Sequence, residues 1–166
     1  FKTDRVSRIR FFCKQKGSFM TKMVLMAAAM LAAATLSAKE LKVLMIGNSF
    51  SQSVLAYLPK IVKAEKEHQL EIAQMMIGGC TLNRHIAELK KAEDDPNYKP
   101  YSTNWPKRRK VNLPEMIKAA KWDIVTIQQG SPESWNKSKT QPAADELIAY
   151  IRKNAPQAEI VVHQTW

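Results

Sequence analysis

Cysteine is nearly absent: of 166 residues only Cys13 and Cys80 are cysteines, which excludes the disulfide framework that staples many small exported domains. Histidine is almost as sparse, at His68, His85 and His163, and none stands at a metal-ligand spacing, so no metal site is expected. No phosphate-loop lysine motif occurs, and no acid is placed to hold a ribose, which leaves a flavodoxin-like nucleotide or phosphate binder without support. No nucleic-acid motif accompanies the basic residues. The most apolar stretch, Met23 to Leu36, is too short to span a bilayer comfortably. Nothing in the sequence asks for a cofactor, a nucleic-acid partner or a membrane span after leader removal.

What is present suits one globular core. Hydrophobic residues make up 45% of the chain and charged residues 25%, a balance unlike that of disordered tails or membrane bundles. Residues 1–19 are basic and aromatic without helical or strand periodicity, and are expected to be read-through from upstream of the true start. Met20 opens a better-formed beginning. Lys22 supplies a positive flank, Met23 to Leu36 an apolar run, and Ser37 and Ala38 small residues. That order predicts a secretory signal over 20–38, cut after Ser37 or Ala38, and hence a secreted or periplasmic protein. An Ala-rich buried helix is the alternative, and position and flanks favour the signal. No Cys follows the run, which argues against a lipoprotein. Removing residues 1–38 takes the formal charge from +11 to +5.

The remainder, 39–166, alternates strand and helix patterns. Leu41 to Ile46 reads as a strand buried on both faces. Leu55, Leu58, Ile61 and Val62 recur at helical spacing. Leu70 to Ile77 is a second apolar run, Gly78-Gly79 breaks it, and Leu82, Ile86 and Leu89 resume the helical period. Asp94 to Asn112 lacks periodicity and reads as a long surface excursion before a helix from Leu113 to Ala120. Trp122 to Ile127 is a third strand, Ala143 to Lys153 a helix, and Ala158 to His163 a fourth strand. Such alternation predicts a three-layer α/β/α sandwich with a parallel sheet and right-handed crossovers.

In sheets of this kind ligands bind at the carboxyl ends of the strands. Three turns there carry candidate chemistry. Gly47-Asn48-Ser49-Phe50-Ser51 follows the first strand and would expose Ser49, with helix amides facing a developing anion. An ordinary turn with Ser51 or Ser53 as N-cap fits the same residues. Gly78-Gly79-Cys80-Thr81-Leu82 follows the second strand, where glycine lets backbone N–H approach a substrate oxygen. A plain turn capped by Thr81 is the alternative. Gln128-Gln129-Gly130-Ser131 places two amides after the third strand.

Taken together, the three turns resemble the SGNH, or GDSL, hydrolase superfamily, and most closely an exported bacterial branch with a Gly-Asn-Ser-Phe first block and a Gly-Gly second block. The resemblance covers roughly Leu41 to Trp166. It implies a flavodoxin-like fold of SGNH hydrolase type and a serine ester hydrolase without cofactor. Ser49 is then the nucleophile, and the N–H groups of Ser49 and Gly79 with the side chain of Gln129, or less well Gln128, form the oxyanion hole. Asn48 stands where Asp is commoner. No Asn follows Gly130, and a Gln-Gly pair at this strand end is similar to that of carbohydrate acetylesterases, which implies an acylated sugar as substrate. The family's Asp-x-x-His block follows a fifth strand. No such block occurs here, so a C-terminally truncated, inactive domain is expected. His163 lies at the correct sheet edge and reads as a pocket-lining residue rather than the general base.

A non-catalytic glycan-binding domain is the competing expectation, with Tyr98, Tyr101 and Trp105 as a sugar-contacting loop. Lys107-Arg108-Arg109-Lys110 is expected to be a solvated loop. His68 and His85 are expected to be exposed or helix-packed, and Cys80 a lone small side chain.

Overall fold

The computed structural model describes residues 39–164, which lie within one compact unit, Ala38–Trp166. The predicted leader and read-through segments fall outside the described residues. Six strands form one sheet in the order β4-β3-β2-β1-β5-β6. The element order is β1 (Lys39–Gly47), α1 (Ser51–Glu65), β2 (His68–Met76), α2 (Leu82–Asp94), β3 (Tyr101–Thr103), β4 (Arg109–Val111), α3 (Leu113–Lys118), β5 (Ile124–Gln128), a 3-10 turn (Ser131–Glu133), α4 (Lys137–Asn154) and β6 (Glu159–His163). Strands β2, β1, β5 and β6 run parallel, as the βα alternation requires.

Segment 94–112 departs from the expected structureless excursion. Tyr101–Thr103 and Arg109–Val111 pair antiparallel and extend the sheet beyond β2. Each strand is three residues long, too short to display a period of two in the sequence. Tyr101, Thr103 and Val111 point inward, and Asn104 Oδ1 accepts from Gln74 N at 2.9 Å, continuing the attachment to β2 where the ladder stops.

The central strands are buried on both faces. Leu44, Ile46, Ala73, Met75, Val125 and Ile127 meet α2, α3 and α4 in a single apolar cluster. Helix α2 presents the stripe its sequence predicts, Leu82, Ile86 and Leu89, and α4 buries Leu147 and Ile151 as its spacing predicts, with Ile148 only partly buried and Ala143 and Ala144 completing the face. Helix α1 lies on the other face, where Gln52 reaches Gln74 and Met76 of β2. It covers that face thinly, with Tyr57 and Ile61 more than half exposed. Among the described residues no helix is long and apolar enough to cross a membrane.

Candidate active site

All three sequence-predicted turns converge at the carboxyl edge of the parallel strands. Gly47 ends β1 and stands opposite Met76, the last residue of β2. A Cβ on Gly47 would lie 2.4 Å from Ser51 Oγ and 2.7 Å from Gln128 Oε1. Glycine is therefore required here by close approach, and the close approach is functional in the fold. Gln128 Oε1 accepts from Asn48 N (3.3 Å) and Ser51 Oγ (3.0 Å), tying β5 to the turn after β1.

Asn48 is 1% exposed. Its Oδ1 accepts from Phe50 N at 3.0 Å, and its Nδ2 donates to Cys80 O at 3.0 Å. One carboxamide thus folds the first turn and fastens it to the second. Gly130 packs against the same carbonyl, since a Cβ there would lie 3.2 Å from Cys80 O. The Cys80 carbonyl is where the three turns meet.

This scaffold leaves Ser49 exposed. The amides of Ser51, Gln52 and Ser53 donate to the carbonyls of Asn48, Ser49 and Phe50, so the first helical turn does not aim free amides outward as the sequence suggests. Neither Ser51 nor Ser53 caps α1. Among the described residues, the Ser49 N–H and Oγ donate to no other group. The same holds for the Gly79 N–H in the exposed turn after β2. Gly79 has φ +60° with nothing near its missing Cβ, so glycine is there for its backbone conformation rather than for space. Thr81 caps α2, accepting from Arg84 N at 3.3 Å.

Successive residues on a strand face opposite ways, and Gln128 and Gln129 divide accordingly. Gln128 faces α1. Gln129 faces α2 and α4, where its Oε1 accepts from Leu82 N (2.9 Å) and Gly130 N (2.8 Å) while its Nε2 donates to Thr140 Oγ1 (3.0 Å). Its carboxamide is thus engaged in clasping α2 and α4 to β5. Beside it opens a cavity of about 350 Å³ whose wall includes Leu82, Ser134, Thr140, Val162 and His163. His163 is half-buried and lines that wall.

The expected aromatic sugar loop is not a surface platform. Tyr101 is fully buried, with its hydroxyl 2.9 Å from His85 Nδ1 and its ring stacked on the imidazole. Trp105 packs edge-on against buried Trp122, and its Nε1 donates to Glu71 Oε1 at 2.6 Å. That bond, followed by one from Lys42, holds the Glu71 carboxyl below its usual range. The exposed aromatic near the carboxyl edge is Trp135, after the 3-10 turn, which periodicity could not single out. Burial pushes the Cys80 thiol up to about 12, so it is not a nucleophile at neutral pH. Among the described residues no group of His, Cys, Asp or Glu is placed to hold a metal ion.

A chain with this architecture is found in a crystal structure of a DUF4886 family protein from Bacteroides uniformis, with 32% identity and a TM-score of 0.64 over 77% of this chain and 51% of that one. A proposed SGNH hydrolase from Slackia heliotrinireducens gives 17% identity and a TM-score of 0.47 over 77% of this chain and 58% of that one, a likeness too slight to bear on function. The chain therefore spans about half the length of these solved proteins. No curated protein matches it. The model of the domain of unknown function DUF4886 matches residues 42–166, and the chain belongs to that family.

Proposed function

We propose that this domain is the nucleophile-bearing part of an SGNH-type serine ester hydrolase that deacylates a carbohydrate ester. The observation that carries the proposal is the conjunction at one sheet edge of an exposed serine and two uncommitted amides, those of Ser49 and Gly79, on turns clamped by buried amides. Ser49 Oγ attacks the ester carbonyl and gives its proton to a general base. The carbonyl oxygen becomes an oxyanion received by the Ser49 and Gly79 N–H groups, and its collapse breaks the bond to the leaving oxygen, which takes the proton from the base and departs as the alcohol, leaving an acyl-serine for water to hydrolyse. The base is assigned to the Asp-x-x-His block that the family resemblance implies. Gln129, expected as a third donor, acts instead as the clasp that holds the second turn against β5.

In the full-length protein a fluorophosphonate should label Ser49, and Ser49→Ala should lower hydrolysis of 4-nitrophenyl acetate by about a thousandfold or more, as loss of a nucleophile does elsewhere. A folded full-length protein that neither labels nor loses turnover on that substitution would overturn the assignment. With Tyr101 and Trp105 turned inward, no observation favours the non-catalytic sugar-binding alternative built on them.

A further inference from the structure

The basic run at 107–110 has no part in the ester chemistry, yet the fold carries it to the active edge. Register passes straight across the sheet from Gly47 to Met76, from Met76 to Ser102, and from Ser102 to Lys110. With neighbouring strands about 4.8 Å apart, Ser102 stands roughly 10 Å from Gly47 along this row. Two adjoining hollows, of about 270 and 260 Å³, share Ser102 and Arg108 in their walls. The first is also walled by Gln52, Gln74, Met76 and Asn104, and the second by Arg109 and Lys110. No Asp or Glu lines either one.

The four cations of the run differ in what they already hold. Arg109 is paired with Glu115, and Lys110 Nζ donates to Ser102 Oγ at 3.1 Å. Lys107 is exposed and lines neither hollow. Arg108 lines both, and among the described residues it has no carboxylate partner. Below it Gln74 is 6% exposed and its Nε2 has no hydrogen-bond partner. The first hollow adjoins the nucleophile turn through Gln52, whose N–H donates to Ser49 O at 3.0 Å. An uncommitted guanidinium beside neutral amides, in walls that contain no acid, suits a planar anion, which its fork binds through two parallel hydrogen bonds.

We propose that this groove is a subsite for a carboxylate carried by the substrate, seated at the β3 edge two strands away from the turn that bears the nucleophile. The substrate class is then an acidic, uronate-type glycan ester rather than a neutral one. This rests on the ester-hydrolase assignment of Ser49, and Arg108 acts as a specificity residue that binds the acid without touching the reacting atoms.

The test compares acetylated oligogalacturonate with an acetylated neutral xylo-oligosaccharide on the full-length protein. Arg108→Gln should raise KM for the acidic ester about tenfold, the scale of one charge-assisted contact. Its kcat, and KM for the neutral ester and for 4-nitrophenyl acetate, should stay unchanged. The wild-type preference for the acidic ester should weaken as salt is added, and Lys107→Gln should change nothing. An unchanged acidic KM in Arg108→Gln, an equal rise for both glycans, or an equal effect of Lys107→Gln would each overturn the subsite. If no ester is turned over, the hydrolase assignment fails by itself. Calorimetric titration with unesterified oligogalacturonate then decides the groove: about tenfold weaker binding by Arg108→Gln supports it, and equal binding refutes it.

Discussion

Asn48 is buried with both ends of its carboxamide in use, one as acceptor from Phe50 N and the other as donor to Cys80 O. Aspartate, the commoner residue at this place in the superfamily the sequence resembles, could accept from Phe50 but could not donate to Cys80. It would set a carboxylate oxygen against a carbonyl oxygen in a site closed to water, and a buried unsatisfied polar group costs on the order of 1–3 kcal/mol. Asn48→Asp is therefore expected to lower unfolding stability at pH 7 by about 2 kcal/mol, read as a shift in urea midpoint. The loss should shrink in acid, because a protonated carboxyl regains a hydrogen to donate. An Asp variant as stable as the wild type at neutral pH would show that the bond to Cys80 is not what joins the two turns.

At the scale of elements, the turn after β2 separates two adjacent glycines that the sequence treats alike. Neither would crowd a Cβ, but only Gly79 has positive φ. Gly78→Ala should be nearly neutral, whereas Gly79→Ala should cost about 1–2 kcal/mol for the left-handed conformation and, under the proposed ester-hydrolase function, lower kcat as the Gly79 amide is displaced. Equal denaturation midpoints for the two variants would count against this. Much of this edge was legible beforehand because β1, β2, β5 and β6 are apolar runs ended by turn residues, and the helices between them are long enough to show their period. The β3–β4 hairpin was not, since three-residue strands have no pattern to read. Tyr101 and Trp105 are hidden from the sequence for a related reason: aromatic residues in a polar stretch suggest a surface, and only the hairpin turns them onto His85 and Trp122. For Gln128 and Gln129, strand alternation alone would have sent them to opposite faces. What it could not reveal is that α2 and α4 would already occupy the Gln129 amide.

Over the whole molecule, His85 joins the helical layer to the edge hairpin, since its ring on α2 stacks on Tyr101 of β3 and Nδ1 shares a hydrogen bond with the tyrosine hydroxyl. It is fully buried. Burial, and then the Arg84 charge, lower its pKa to about 4, against a smaller opposing pull from Glu88. The unfolded chain therefore takes up a proton near pH 6.5 that the folded chain refuses until about pH 4, so this group costs nothing above 6.5 and destabilises progressively as the pH falls between those values. The full loss is about 3 kcal/mol, a large share of a domain's net stability. Glu71, Glu88 and Glu115 have pKa values below the ordinary 4.5, so the stability they contribute is present above pH 4.5 and disappears at lower pH. Among the shifted groups of the described residues, the interval from 6.5 to 4.5 therefore belongs to His85. Unfolding free energies measured by urea across that interval should fall steeply for the wild type and nearly level out for His85→Phe, which keeps a stacked ring but no titrating nitrogen. Its overall stability should be lower at pH 7, because the Tyr101 hydroxyl loses its partner. Parallel slopes for the two proteins would mean that the imidazole is not what couples the α2 layer to the hairpin as the solution is acidified.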